Sequence, residues 1–261
     1  MKIPTVALLV VLSVARSAGA QTTLTPVEPS ATAVAPAPSD DRPALNPPPG
    51  SFFKTVGQDL THFFTLDTAK IMTTFTVAGL AASHWDHAAV EDAGERIPPS
   101  AFAVGNFAGG LSAQIGAGIT TYVVGRVTHK PEVASVGGDL IRAQIVSQIF
   151  VQGAKMAVGR ERPDGSNSLS FPSGHSASAF ATATVLQEHF GWKAGVPAYA
   201  FASFVGASRM AASKHYLSDV IVGAGIGIAA GRTVTFHLAG EKFALGAAPT
   251  QGGAMVTFTR R

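Results

Sequence analysis

Apolar and small residues gather along this chain into long stretches, and isolated charges, prolines and glycines separate them. The first stretch is short. Residues 6–14 (VALLVVLSV) follow the basic start Met1-Lys2, and Ala18-Gly19-Ala20 then supplies the small-x-small pattern read by a signal peptidase. The run lacks an amphipathic period and falls below the roughly 20 apolar residues of a membrane span. A leader of residues 1–20 is therefore expected, cleaved after Ala20, with no Cys behind it to carry a lipid anchor. Residues 21–50 hold eight of the chain's 16 prolines and end in Asn46-Pro47-Pro48-Pro49-Gly50. Proline removes backbone donors and turns the residue before it away from the helical region, so an extended linker is expected.

From Ser51 the prolines thin out, and runs rich in Ala, Gly, Val, Ile and Phe take over. They predict helices near 67–83, 101–127, 136–159, 174–190, 194–209 and 216–237. The breaks fall at Pro98-Pro99, Lys130-Pro131, Arg162-Pro163, Phe171-Pro172 and around Gly191. Residues 254–259 (AMVTFT) are β-branched and roughly alternating. With Phe243-Ala244-Leu245 before a Pro/Gly-rich 246–253 stretch, they are compatible with a small hairpin. The expected fold is all-α: a bundle of about six core helices over 51–240, followed by a tail of 241–261.

Residues 97–125 carry no charge over 29 residues, enough to span a membrane, yet consist largely of Gly, Ala, Ser, Thr, Gln and Asn. The other uncharged runs, 143–154, 194–208 and 220–231, have 12, 15 and 12 residues and fit buried core helices. A soluble or peripheral bundle is the favoured reading; a bundle in or on the membrane is the alternative. Gly223, Gly225, Gly227 and Gly231 imitate a nucleotide-binding loop but lack the preceding strand and the acidic ribose ligand. Close helix packing explains them better.

Composition narrows the classes. Charged residues make up 13%, about half the ordinary share, and 46% are hydrophobic, which excludes a disordered polyelectrolyte. Removing Lys2 and Arg16 with the leader takes the net charge from +3 to +1, and no basic face is clustered, so no nucleic-acid partner is expected. The absence of Cys excludes disulfides, thiolate metal sites and a Cys nucleophile.

Three polar clusters interrupt this apolar background. In the first, Lys155 and Arg162 stand seven apart, nearly two helical turns, and Pro163 is expected to end the helix so that Arg162 reaches into a cleft. Arg160, one position out of phase, reads as solvated. In the second, Pro172-Ser173-Gly174-His175 opens a helix whose unpaired N–H groups can hold an anion; the plainer reading makes Ser173 only an N-cap. In the third, Ser208-Arg209 precede His215 and Asp219, four apart on one expected helical face. There a carboxylate can fix the imidazole tautomer, although such pairs are common on surfaces. Lys214 beside them reads as solvated.

Together these clusters resemble the type 2 phosphatidic acid phosphatase (PAP2) and vanadium haloperoxidase superfamily, which includes bacterial class A acid phosphatases. The family pattern is Lys, six residues, Arg-Pro; then Pro-Ser-Gly-His; then Ser-Arg, five residues, His, three residues, Asp. K-MAVGRE-RP at 155–163, PSGH at 172–175 and SR-MAASK-H-YLS-D at 208–219 match every specified position in order. The likeness is close over 140–240 and loose over 51–139.

The resemblance implies a PAP2-like bundle that hydrolyses phosphate monoesters, either lipid phosphates or small phosphomonoesters, through a phosphohistidine. It makes His215 the nucleophile, Asp219 its orienting residue and His175 the general acid. Lys155, Arg162 and Arg209 become a phosphate clamp helped by Ser173 and the Gly174 N–H. No metal or cofactor is expected, and vanadate should act as inhibitor or phosphate mimic. His215 must be neutral while His175 is charged, which predicts a bell-shaped pH profile on the acid side. The alternatives are a vanadate-dependent haloperoxidase and a non-catalytic membrane-associated helical scaffold. A phosphate-ester substrate and membrane lipid are the candidate partners, in an exported, periplasmic protein, soluble or membrane-associated; the oligomeric state stays open. His84-Trp85-Asp86-His87 looks superficially like a metal site but sits at a helix end without Cys ligands, and His62, His129, His189 and His237 have no partner pattern.

Overall fold

The computed structural model describes residues 52–236 and the backbone of 244–250 and 253–259; the expected leader and linker lie outside the described residues. Nine α-helices are described: α1 (Phe52–His62), α2 (Leu66–Ala82), α3 (Asp86–Arg96), α4 (Pro99–Ala108), α5 (Leu111–Val127), α6 (Pro131–Val158), α7 (Gly174–Phe190), α8 (Trp192–Ala211) and α9 (Leu217–Val234). Strands β1 (Ala244–Thr250) and β2 (Gly253–Thr259) then pair antiparallel, Ala244 opposite Thr259. The all-α expectation and the hairpin are both met. The turn is tighter than expected, because β1 runs on through Gly246 and Pro249.

Local chemistry sets most boundaries. The Thr65 hydroxyl accepts from Thr68 N–H at the start of α2, the Ser173 hydroxyl accepts from Ser176 N–H at the start of α7, and prolines occupy the first turns of α4 and α6. Gly159, left-handed at φ 60°, ends α6 four residues before Pro163. The expected 101–127 helix is two, broken at Gly109-Gly110, where a Cβ on Gly109 would stand 2.3 Å from Val205 Cγ1 of α8. Helices α1 and α3 were not expected.

The core lies among α6, α7 and α9, where Val136, Leu140, Val146, Ala181, Val185, Ala229 and Val234 pack together. The glycine pattern serves this packing. A Cβ on Gly227 would meet the Ala177 carbonyl of α7 at 2.3 Å, and one on Gly223 would meet the Ser173 carbonyl at 2.4 Å. Bare backbone on α9 thus sets α7 against it, and that closeness places the start of one helix beside the start of the other.

At the opposite end of the bundle, Arg142 donates to Asp59 Oδ2 at 2.6 Å, to Asp139 Oδ1 and to the Val234 carbonyl, tying α1, α6 and α9. His189, which sequence left without a partner, stands 2.8 Å from Asp139 Oδ2. Among the described residues α9 is long and apolar enough to cross a membrane, and 78% of that span is buried in the bundle. Phe107, Ile119, Val123, Val124 and Val127 of α4 and α5, and Trp192, Val196 and Phe201 of α8, are exposed.

Candidate active site

The C-terminal ends of α6 and α8 and the N-terminal ends of α7 and α9 meet at one end of the bundle, and every motif residue lies there. Lys155, in the last turn of α6, is buried and donates to the Leu169 carbonyl. Arg209, in the last turn of α8, is buried and donates to Asn106 Oδ1 of α4. Arg162 stands on the α6–α7 loop rather than on a helix shared with Lys155, because Gly159 has already ended α6. Its backbone N–H donates to the Asn167 carbonyl, closing a turn that fixes the loop.

Among the described residues none of these three cations pairs with a carboxylate, and the Nε atoms of Arg162 and Arg209 are buried without a hydrogen-bond partner. Buried positive groups with unused donors are costly unless an anion satisfies them. Burial, reinforced by Arg162, lowers Lys155 to about 8 and Arg209 to about 10. Both therefore stay charged at neutral pH.

Ser173 is the N-cap of α7 and fully buried, so the capping reading holds. The first N–H groups of α7, at Gly174 and His175, have no partner within the helix and carry the positive end of its dipole. His175 Nε2 lies 3.1 Å from the Asn106 carbonyl, which makes Nε2 the protonated nitrogen there. Burial and the neighbouring Arg209, His215 and Arg162 lower His175 to about 4. Burial first, and then these neighbours, oppose the charge that the general-acid reading asks of His175.

His215 precedes α9 rather than lying on it. The 212–216 loop turns through Ser213 in a left-handed conformation, φ 52°, and the N–H groups of Lys214 and His215 both donate to the Arg209 carbonyl. Lys214, expected to be solvated, pairs with Asp164, and Asp164 N–H donates to the Ser213 carbonyl, locking the two site loops together. The buried His215 donates Nδ1–H to the Ser170 carbonyl at 2.6 Å; Asp219 Oδ2 is farther, at 3.8 Å. A main-chain oxygen therefore sets the tautomer, leaving a lone pair on Nε2, while Asp219 acts as a nearby charge. Burial, with Lys155 and Arg209, lowers the His215 pKa against the pull of Asp219, which keeps the ring neutral.

Asp219 is fully buried at the third position of α9, where it accepts Tyr216 N–H at 2.8 Å and the Ser170 hydroxyl at 2.5 Å. Burial alone would raise its carboxyl; these donors, His215 and the Arg160 charge hold it below the ordinary range. Arg160, read from sequence as solvated, donates to Asp219 Oδ1 at 2.7 Å and to Asp86 Oδ2 at 2.7 Å. Its helical phase is irrelevant because the helix stops at Val158.

Asn106, Ser170 and Asp86 also escaped the sequence reading. Asp86 belongs to the His84–His87 stretch, whose buried acid turns out to hold Arg160 and Ser218. Among the described residues no group of three or more His, Asp or Glu side chains could hold a metal ion.

Cations without carboxylate partners, a helix start and an imidazole with its Nδ1 engaged thus gather at one end of a helical bundle. Residues 137–242, the segment that carries all three motifs, match the model of the PAP2 superfamily. The chain is 44% identical to a lipid A 1-phosphatase of Porphyromonas gingivalis over 85 residues, 31% of this chain and 19% of that protein. It is 31% identical to a lipid A 4'-phosphatase of Helicobacter pylori over 97 residues, 33% of this chain and 49% of that protein. These matches span about a fifth and about half of the two relatives. Among solved structures, the LpxE of Aquifex aeolicus aligns at TM-score 0.45 and 22% identity, covering 58% of this chain and 94% of that one. A transmembrane PAP2-type phosphatidylglycerolphosphate phosphatase of Bacillus subtilis aligns at TM-score 0.47 and 19% identity, over 66% and 96%.

Proposed function

We infer that the protein is a metal-independent phosphatase that hydrolyses phosphate monoesters through a phosphohistidine, with lipid phosphates as the substrate class. One observation carries the reading: Lys155 and Arg209 are buried and Arg162 is half-buried, all three without carboxylate partners among the described residues, beside an imidazole whose Nδ1 is already engaged by Ser170. The three cations and the α7 N–H groups hold the phosphate oxygens, the electrostatic help that phosphoryl transfer needs most. His215 Nε2 attacks phosphorus and the bond to the leaving oxygen breaks as His175 donates a proton to it. Water then attacks the phosphohistidine, gives its proton to His175 and releases inorganic phosphate from His215. A bound phosphate dianion raises the pKa of His175 and so favours the protonated ring that acts as the acid.

The lipid assignment draws on the names of the two relatives and on the exposed apolar side chains of α4, α5 and α8. The domain order is a leader at 1–20, a linker at 21–50, the phosphatase domain at 51–240 and a tail at 241–261, in an exported, membrane-associated enzyme. The test incubates the protein with phosphatidic acid, lipid A and p-nitrophenyl phosphate and traps labelled phosphate on His215 by rapid acid quench. Release of phosphate from a lipid with label on His215 is expected. Turnover without a phosphohistidine would overturn the mechanism, and turnover of p-nitrophenyl phosphate alone would overturn the lipid class.

A further inference from the structure

Arg160 and Asp86 occupy no position of the family pattern, yet their side chains meet behind the buried imidazole. Arg160 Nη1 donates to Asp219 Oδ1 and to Ser218 Oγ, each at 2.7 Å, and Nη2 donates to Asp86 Oδ2 at 2.7 Å. The guanidinium lies 4.0 Å over the Tyr216 ring, and the Arg160 carbonyl accepts Ser170 N–H at 2.9 Å. Asp86, 2% exposed in the first turn of α3, accepts Ser218 N–H and the Ser218 hydroxyl, each at 2.8 Å. Asp86 therefore caps α9 from a neighbouring helix while aiming Arg160. Arg160 in turn holds both groups that face His215 Nδ1, Ser170 through its main chain and Asp219 through its side chain.

We propose that Arg160, aimed by Asp86, is a positioning residue for His215, which fixes Ser170 and Asp219 so that Nδ1 keeps its proton and Nε2 presents its lone pair to phosphorus. The proposal rests on the reading of His215 as the nucleophile. The charged and titratable groups around His215 are Lys155 from α6, His175 from α7, Arg209 from α8 and Asp219 from α9. Arg162 and Arg160 add to them from the α6–α7 loop, with Asp86 of α3 behind Arg160. Asp219 is the anion nearest the ring, at 3.8 Å. Left without Arg160, its charge would draw a second proton onto His215 and consume the lone pair. A fork shared between two buried carboxylates spreads that charge and holds its geometry.

The test uses the full chain carrying Arg160→Gln, Arg160→Lys or Asp86→Asn. His215 titration is followed by NMR of 15N-histidine protein, its signal assigned by loss in His215→Asn, beside kcat and KM on p-nitrophenyl phosphate. In Arg160→Gln the titration should move up by about one pH unit, a tenfold change. Its kcat should fall about 100-fold while KM stays within about threefold, as for a misplaced nucleophile over an intact clamp. Arg160→Lys should keep the wild-type titration yet still lose kcat, because a point charge cannot fork between Asp86 and Asp219. Asp86→Asn should lose kcat in the same way, and with Arg160→Lys it carries the test should Arg160→Gln not fold. Folded variants with wild-type titration and kcat would overturn the proposal. So would a lowered melting temperature with kcat and KM both damaged and the His215 titration unmoved, which marks a structural staple. A wild type that turns over no phosphomonoester, with the titration still shifted in Arg160→Gln, would overturn the phosphatase reading and leave the positioning role standing.

Discussion

At the scale of single residues, the proposed roles separate groups that bind from groups that react. His215→Ala should abolish turnover and phosphoenzyme, whereas His175→Ala should cost about 10²–10⁴-fold on alkyl phosphates and under about tenfold on nitrophenyl phosphate, whose leaving group needs no proton. Equal losses on the two, measured as kcat, would remove His175 from the acid role. The pH profile follows from the same pair. His175 sits at about 4 and His215 below its ordinary 6.5 in the free enzyme. The kcat/KM profile should rise as His215 loses its proton and fall as His175 loses its own, with an optimum below 6.5. A flat profile through neutrality would contradict both assignments. Arg162→Lys and Arg209→Lys keep the charge but lose a planar fork whose Nε is free for an anion, and each should lower kcat/KM about 10- to 100-fold.

At the scale of elements, placement of the site depends on how closely α9 approaches α7. Gly227→Ala would drive a Cβ to 2.3 Å from the Ala177 carbonyl, and backbone cannot yield as a flexible side chain can. A loss of about 1–3 kcal/mol in urea denaturation is expected, with activity falling as the α7 start shifts. Gly138→Ala in α6, where nothing lies within 4 Å, should instead stabilise by about 0.5–1 kcal/mol. Equal effects at the two glycines would mean that helix propensity, not helix approach, governs them. The breaks between helices were largely legible, since Pro131, Pro172 and Gly191 are punctuation whatever surrounds them. The end of α6 was not, because Gly159 and Pro163 both look like stops and the structure uses the first.

At the scale of the whole molecule, large apolar side chains stand exposed on α4, α5 and α8. The protein should sediment with membranes and leave them on treatment with detergent. Complete release with soluble periplasmic contents would make soluble phosphomonoesters the leading substrates. EDTA should leave activity intact and orthovanadate should inhibit competitively, since cations of the chain itself neutralise the phosphate. Strong inhibition by the chelator would mean a different chemistry.

The sequence by itself determined the helical class and the eight candidate residues, because periodicity and motif spacing are local properties that survive in one dimension. It also marked helix boundaries near them with proline, glycine and serine, although Arg162 lies on the loop past α6 rather than at its end. Only the tertiary structure decided what each residue touches. Asp86 and Asp219 are 133 positions apart and share one guanidinium; Asn106 reaches both Arg209 and His175 from a segment with no motif; Ser170 takes the imidazole proton that spacing had assigned to Asp219. Such partners are chosen by the packing of α3, α4 and α9 and by a loop whose path no periodicity records. A buried hydrogen bond depends on where two backbones finally stand.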